Sequence, residues 1–377
     1  MKNILIYFPF TLSEKPQSGS QLRPIEMLKA FEAFCKYNQM ELLIVSGDSK
    51  ERAIQWEKLL ESGKLSKTQF CYAENQTIPI WLTDKGHKPS KPFVDIAIFR
   101  ELKKKNIPIG LFYRDVYWKF DELYSLKGIK KMIMRTIYKA EEKFYSKYLQ
   151  TVFLPSESMG KFVDIKVNKV ALPPGGREIN IQSVSNRTPK VGIYVGGINN
   201  EDYGLSKLVK SYEILNENIT QSELKIVCRY DEFEKLSSDL KELLKKPYIE
   251  ILHISGEELS EYYSKVDYAF IPRKKSTYND FSVPVKLVEY LSAKLPIVAT
   301  NCDAQVSIIN SGPFGVITED HSESISSGIL KIHENYELYK ENIENHFIEN
   351  HSWEARAIQA AQALVGGLYE SSYTSSK

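Results

Sequence analysis

The sequence predicts an α/β protein of two doubly wound, Rossmann-like lobes, each a parallel sheet with helices on both faces. Three observations carry that reading. The 377 residues exceed the usual size of one domain, and 42% are hydrophobic against 26% charged, enough apolar material for two cores. Short β-branched or aromatic runs alternate with longer stretches of helical periodicity along the chain. A Pro-Pro-Gly-Gly segment, Pro173 to Gly176, followed by polar residues to Pro189, divides the chain near its middle. Residues 1–175 are therefore expected to form the first domain and 176–350 the second, with a helix within 351–377 crossing back to the first.

In chain order, the strands expected in the first half are Ile4 to Phe8, Glu41 to Val45, Asp95 to Phe99, Ile107 to Tyr113 and Thr151 to Leu154. Those expected in the second half are Lys190 to Val195, Leu224 to Cys228, Tyr248 to Leu252, Tyr268 to Ile271, Ile297 to Thr300 and Phe314 to Ile317. After Ser322 the pattern is helical to Leu368, and Glu370 to Lys377 read as a Ser-rich, frayed end. Ligands of open parallel sheets bind beyond the carboxyl ends of the strands, so the chemistry is expected in a cleft that two such lobes share.

Several classes fall away. Fifty Lys and Arg against 48 Asp and Glu leave a net charge of +2, which argues against a nucleic-acid partner. Cys35, Cys71, Cys228 and Cys302 are isolated, as in a reducing compartment, and Met1 to Phe10 reads as a strand rather than a signal peptide. No apolar run is long enough to span a bilayer, so the expected location is cytoplasmic, with at most peripheral contact at the inner face of the plasma membrane. His87, His253, His321, His333, His346 and His351 show no ligand spacing and no Asp-x-Asp occurs, so no metal or other cofactor is expected. Walker, nucleophile-elbow and dinucleotide motifs are absent too.

The most informative stretch is Asp280 to Thr300. Pro284, Lys286, Glu289, Tyr290 and Ala293 occupy a helical pattern, and Pro296, Ile297, Val298 and Ala299 form the next strand. Lys286 and Glu289 share a helix face near its N-terminus, where unpaired N–H groups and the helix dipole favour an anion such as a diphosphate. Lys286 would add charge, and Glu289, one turn deeper, could accept bonds from ribose hydroxyls. The same spacing also suits an ordinary surface ion pair.

This stretch resembles the donor-nucleotide signature of retaining GT-B glycosyltransferases, in particular family 4 and its relatives, where Pro-x-Lys-x-x-Glu-Tyr precedes a Pro-Val-Val-Ala-type strand. Three further segments follow the family in the same order. Tyr194 to Leu205 is similar to its first strand and glycine turn, and Gly256 to Asp267 to the segment before the Asp267 to Pro272 strand. Ser352, Trp353, Glu354 and Arg356 are similar to its terminal Ser-Trp-Glu motif. The resemblance covers most of residues 190–360. It implies the GT-B fold and a nucleoside-diphosphate sugar as co-substrate, with a UDP-sugar favoured. It also implies hexosyl transfer with retention, in which the donor phosphate itself takes the acceptor proton.

Two departures stand out. Where the family carries an Arg after the first glycine of that turn and a Lys before the second, this chain has Gly197 and Tyr203. The diphosphate is then left to Arg229, Arg273, Lys274 and Lys286, or to backbone N–H groups at Gly196 and Gly197; Arg229 and Arg273 also read as strand-end surface charges. Eight residues before Glu289 the family's other glutamate is replaced by Phe281, so Asn279, Asp280 or Ser282, beside Pro284, is expected to meet the sugar.

In the first half, Ser18, Gly19, Ser20 and Arg23 open a helical pattern after the first strand and resemble the family's acceptor-side glycine loop, with Arg23 placed to hold an acceptor phosphate. Arg114 and Asp115 follow an apolar strand directly, either as an acceptor contact and weak base or as an ion pair closing the strand. Residues 125–148 hold seven cations against Glu141 and Glu142, with Ile129, Ile133, Ile137, Ala140, Phe144 and Tyr148 at helical spacing. This basic amphipathic helix could dock on anionic lipid or simply pack on the core. The sequence thus points to a glycosyltransferase in which Asp115, Lys286 and Glu289 serve catalysis and the acceptor is a lipid-linked or other surface glycan. The alternative is a non-catalytic GT-B-like subunit that binds a glycan or a partner glycosyltransferase.

Overall fold

The computed structural model describes residues 1–16, 18–179, 189–217, 222–367 and 369. Part of the expected polar linker and the Ser-rich end therefore lie outside the described residues. The chain forms two compact units, Met1–Gly175 with Trp353–Lys377, and Gly176–Ser352.

The first unit runs β1 (Asn3–Phe8), α1 (Gly19–Tyr37), β2 (Glu41–Ser46), α2 (Ser49–Glu61), β3 (Thr68–Glu74), α3 (Val94–Lys104), β4 (Ile109–Phe112), α4 (Gly128–Tyr148), β5 (Thr151–Leu154) and β6 (Asn168–Ala171). The second unit begins with β7 (Lys190–Val195), α5 (Leu205–Leu215), β8 (Ser222–Val227), α6 (Tyr230–Glu234), α7 (Ser238–Leu243), β9 (Ile249–Leu252) and α8 (Gly256–Tyr262). It continues with β10 (Tyr268–Ile271), α9 (Thr277–Phe281), α10 (Val285–Ser292), β11 (Ile297–Thr300), α11 (Asp303–Asn310), β12 (Gly315–Thr318), α12 (Ser322–Glu334) and α13 (Tyr336–His351). The helix α14 (Trp353–Val365) then belongs to the first unit.

Each unit is built on a six-stranded parallel sheet, ordered β2-β1-β3-β4-β5-β6 in the first and β12-β11-β10-β7-β8-β9 in the second. Helices cover both faces, so central strands are apolar on both sides. Every residue of β1, β4, β5, β10 and β11 is buried. In α14, Trp353, Ala357, Ala360, Ala361 and Leu364 form one apolar face, and the small alanines let it lie close against α1 and the first sheet.

The structure corrects two expectations. Asp95 to Phe99 is not a strand but the first turns of α3. Val94, Ile98 and Leu102 are buried at the helical interval of four, and Asp95 turns inward to pair with Arg52 at 3.0 Å and to accept from the Tyr7 hydroxyl. Two strands also join the first sheet that the pattern did not mark, β3 and β6. The apolar positions of residues 125–148 do not form one buried stripe. Phe144 packs inward with Tyr145, whereas Ile129, Met132 and Ile133 are exposed in the first turns of α4. Both acids of that helix point inward. Glu141 accepts from the Ile80 N–H at 2.7 Å and the Tyr145 hydroxyl at 2.9 Å, and Glu142 pairs with Lys119 at 2.9 Å. No helix among the described residues is long and apolar enough to cross a membrane.

Candidate functional site

At the carboxyl edge of the second sheet lies a cavity of about 330 Å³. Its walls are the exit of β7 (Tyr194–Gly197), the exit of β10 (Phe270–Arg273), Tyr203, Tyr278, Ser282–Pro284 and Lys286. The glycine turn explains its own departure from the expected pattern. A Cβ on Gly197 would sit 2.4 Å from the Tyr203 ring, so the two positions form a matched pair in which the ring takes the space a longer side chain would leave through. Tyr194 donates its hydroxyl proton to the Gly197 carbonyl at 2.6 Å and holds the turn from the strand side. Gly204, at φ +74° with any Cβ only 1.7 Å from the Pro272 carbonyl oxygen, must be glycine for the turn to pass the end of β10.

The expected cations fare differently. Arg273 lines the cavity, but its guanidinium is committed to the wall. Nη1 donates to the Ser282 carbonyl at 2.8 Å, and Nη2 donates to the Ser282 hydroxyl at 2.9 Å and to the Asn279 side chain. Burial pushes its pKa below the ordinary value. Lys286 also lines the cavity, in the first turn of α10, where the helix N-terminus adds positive potential. Its Nζ lies 2.7 Å from both carboxylate oxygens of Glu289. Glu289 stands behind it and accepts from the Tyr263 hydroxyl at 2.5 Å; burial, then the Glu289 charge, push that hydroxyl's pKa up. Arg229 does not reach the cavity, because it caps the short α6 with its side chain in solvent, 3.7 Å from Glu232. Lys274 is exposed. Asp280 is held by Lys275 at 2.7 Å, whereas Ser282 and Pro284 are wall residues. The aromatic walls Tyr194 and Tyr278 were not anticipated; an aromatic beside a strand-end glycine turn is the one signal the sequence offered.

In the first unit, Gly19 and Ser20 begin α1, and the Ser20 hydroxyl lies 2.9 Å from that of Ser18. Arg23 is buried one turn later with its guanidinium 3.4 Å over the Phe112 ring and 5.7 Å from that of Trp353, the tryptophan of the Ser-Trp-Glu motif. Its Nε lies 3.4 Å from Glu74, the last residue of β3, and Arg114 Nη2 lies 3.7 Å from the other Glu74 oxygen. The structure thus gathers Arg23 and Arg114 around a carboxylate that the sequence had not singled out. Asp115 has a local task, its carboxylate accepting the Tyr117 N–H at 2.9 Å to close a turn. Among the described residues no three His, Cys, Asp or Glu side chains come together as a metal site.

Comparison with known proteins bears first on the second unit. Residues 177–348, nearly all of the second unit, match the family model described as glycosyl transferases group 1. The match takes in less than half of the chain. A probable sucrose-phosphate synthase of Thermosipho melanesiensis is 30% identical over 136 residues, which are 35% of this chain and 31% of that relative. The chain thus spans about a third of the curated relative it matches. Across the whole chain the fold is that of GT-B glycosyltransferases. A sucrose-phosphate synthase from Thermosynechococcus elongatus superposes with a TM-score of 0.57 at 11% identity, covering 96% of this chain and 98% of that one. WaaG, a glycosyltransferase involved in lipopolysaccharide biosynthesis, gives 0.56 at 13% identity, with 97% and 100% covered. Anabaena HepE, crystallised with UDP and glucose, gives 0.55 at 13%, with 95% and 98% covered. At these identities the likeness is one of fold.

Proposed function

We propose that this protein is a metal-independent, retaining glycosyltransferase that moves a hexosyl group from a nucleoside-diphosphate sugar, a UDP-sugar first among them, to an acceptor hydroxyl. The observation that carries this reading is the cavity at the carboxyl edge of the second sheet, where backbone at Gly196 and Gly197, the cation of Lys286 and the N-terminus of α10 converge. In this reading the bond from the anomeric carbon to the diphosphate oxygen breaks and its electron pair leaves with the diphosphate. The acceptor oxygen forms the new bond, and its proton passes to a donor phosphate oxygen. Lys286, the Gly197 N–H and the N-terminus of α10 stabilise the charge that develops on the leaving group, whereas the Gly196 N–H is bonded to the Val227 carbonyl at 3.1 Å and Arg273 holds the wall; one such donor contributes about 3 kcal/mol to the barrier. Glu289 takes the ribose hydroxyls while keeping Lys286 in place. The first unit, through Gly19, Ser20, Arg23, Arg114 and Asp115, receives the acceptor.

The acceptor in this reading is a lipid-linked or surface glycan met at the cytoplasmic face of a membrane. Support comes from α4. With Glu141 and Glu142 turned inward, its exposed charges are Lys130, Lys139, Lys143 and Lys147, beside the exposed Ile129, Met132 and Ile133. Each lysine near an anionic leaflet contributes roughly 1 kcal/mol. In sedimentation with phosphatidylcholine–phosphatidylserine vesicles, the protein is expected to pellet, and Ile133→Glu with Lys130→Glu to remain in solution; equal pelleting of both would remove the membrane from the reading.

The test of the transfer itself is UDP release from UDP-glucose in the presence of mixed glycan and glycolipid acceptors, without Mg²⁺. Lys286→Ala is expected to lower kcat/KM about 100-fold, about 2.7 kcal/mol. If no nucleotide sugar is turned over and none binds, the binding-subunit alternative stands in its place.

A further inference from the structure

We propose that Arg273 and the Ser282 hydroxyl form a carboxylate site in the wall of the second-unit cavity, and that the donor sugar is a hexuronic acid. The inference rests on the glycosyltransferase reading for the nucleotide and adds to it the class of sugar.

Arg273 follows β10 by two residues, and its side chain lines the cavity. Its guanidinium is held by neutral acceptors alone. The Ser282 carbonyl takes an N–H of Nη1 at 2.8 Å, and the Ser282 hydroxyl, at 2.9 Å, shares the N–H groups of Nη2 with the Asn279 side-chain oxygen. Asn279 is oriented in turn, because its amide nitrogen donates to the Lys274 carbonyl at 2.8 Å. Nε and the second N–H of Nη1 are left without an acceptor among the described residues. The Ser282 hydroxyl accepts from Arg273, so its own proton remains to be donated. No carboxylate balances this cation. The cavity wall holds no Asp or Glu. Lys286, the other cation of the wall, is paired with Glu289, and Asp280 is held by Lys275 at 2.7 Å. Phe281, between Asp280 and Ser282, is buried edge-on against Tyr278 with ring centroids 5.0 Å apart and brings no charge. Of the groups whose charge acts on Arg273, which are Cys302, Tyr278, Tyr203 and Asp202, only Asp202 is a carboxylic acid, and it is exposed and forms no ion pair with Arg273.

A guanidinium fixed by neutral oxygens keeps its full charge, and a half-buried wall makes that charge costly until an anion meets it. The diphosphate has partners of its own in Lys286, the Gly197 N–H and the start of α10. Arg273 is tied instead to Asn279 and Ser282, two of the residues the sequence marks for the sugar. A neutral hexose offers only hydroxyls there, which offset none of the charge. A hexuronic acid carries a carboxylate on its exocyclic carbon. The two oxygens can accept from Nε, from Nη1 and from the Ser282 hydroxyl, and bonds of that kind are charge-assisted. Asn279 and the Ser282 carbonyl then act as a mount that holds the fork in position before the ligand arrives, which lowers the cost of ordering it on binding.

The experiment compares acidic and neutral donors that differ in one group. UDP-glucuronic acid is set against UDP-glucose, UDP-galacturonic acid against UDP-galactose, and GDP-mannuronic acid against GDP-mannose. Each is titrated calorimetrically into the full chain, beside UDP and GDP, in the presence of a chelator. Wild type is expected to bind the acidic member of at least one pair about tenfold or more tightly than its neutral partner. The uronamide of that donor, which keeps the shape and loses the charge, is expected to bind no better than the neutral sugar. Arg273→Gln is expected to bring the acidic-to-neutral ratio to about one, and Ser282→Ala to lower it about threefold. The ratio cancels any general loosening of the wall. If Arg273→Gln does not fold, the uronamide on wild type and Ser282→Ala carry the decision. A uronamide that binds as tightly as the acid overturns the site. Equal weakening of UDP, the neutral donor and the acidic donor in Arg273→Gln would make Arg273 a diphosphate contact and also overturn it. Nucleotide binding with no preference for any acidic sugar refutes the carboxylate site and leaves the glycosyltransferase reading; no binding of any nucleotide refutes both.

Discussion

In the first unit the carboxyl edge of the sheet carries Arg23, Glu74 and Arg114, buried and crowded, whereas in the second the same edge carries Gly196, Gly197 and the Tyr203 ring around a cavity of about 330 Å³. Each sheet is parallel and six-stranded, so the fold alone does not set this contrast. One edge collects formal charge that its own residues leave partly unbonded. The other commits Arg273 to its own wall and Lys286 to Glu289, and offers backbone and aromatic surface. A parallel sheet supplies an address for a ligand, and the residues after each strand decide which chemistry is read there.

The largest expected effect breaks the second edge. Gly204→Ala places a Cβ 1.7 Å from the Pro272 carbonyl oxygen at a positive φ, so the turn must move. A loss of about 3 kcal/mol or more is expected in urea unfolding, with nucleotide binding lost as well. A smaller effect sharpens the contrast by moving charge across it. Gly197→Arg alone drives its side chain into the Tyr203 ring and is expected to cost about 1–3 kcal/mol. With Tyr203→Lys added, the space and two cations are restored. The double variant is expected to recover stability and bind UDP about tenfold tighter, a coupling read from a double-mutant cycle. Additive costs would mean that the two positions are not a matched pair.

A third effect, read through pH, concerns how the first unit tolerates buried charge. Burial pushes the Glu141 carboxyl up to about 8. A raised folded pKa means the native state holds the proton more tightly than the unfolded chain. Its contribution is therefore full below the ordinary value of 4.5 and is lost as pH rises through about 8. Melting temperature should fall across that window in wild type and less steeply in Glu141→Gln; parallel slopes would show that Glu141 stays ionised.

Much of this was legible in the residues. Buried parallel strands are short continuous apolar runs, so Ile4 to Phe8, Tyr268 to Ile271 and Ile297 to Thr300 declared themselves. Lys286 and Glu289 were readable because their spacing has meaning on a helix. Asp95 to Phe99 misled because Ile96, Ala97, Ile98 and Phe99 form an apolar run short enough to suit a strand, and only the partner Arg52 explains why the acid is inside. Missing β3 hid Glu74, and with it the reason Arg23 and Arg114 converge. Gly197 and Tyr203 read separately as two losses; only the 2.4 Å approach shows one packing solution. Such contacts join residues whose meeting no local pattern encodes.

The central claim is that the edge of the second sheet holds a nucleoside diphosphate by Lys286, backbone N–H groups and the start of α10. Calorimetric titration of UDP in the presence of a chelator, with GDP, ADP and dTDP alongside, tests it most directly. The account predicts that UDP binds, and that Lys286→Ala and Glu289→Ala each weaken it at least tenfold, about 1.4 kcal/mol. Absence of binding by all four nucleotides, or UDP affinity unchanged in both variants, would contradict it.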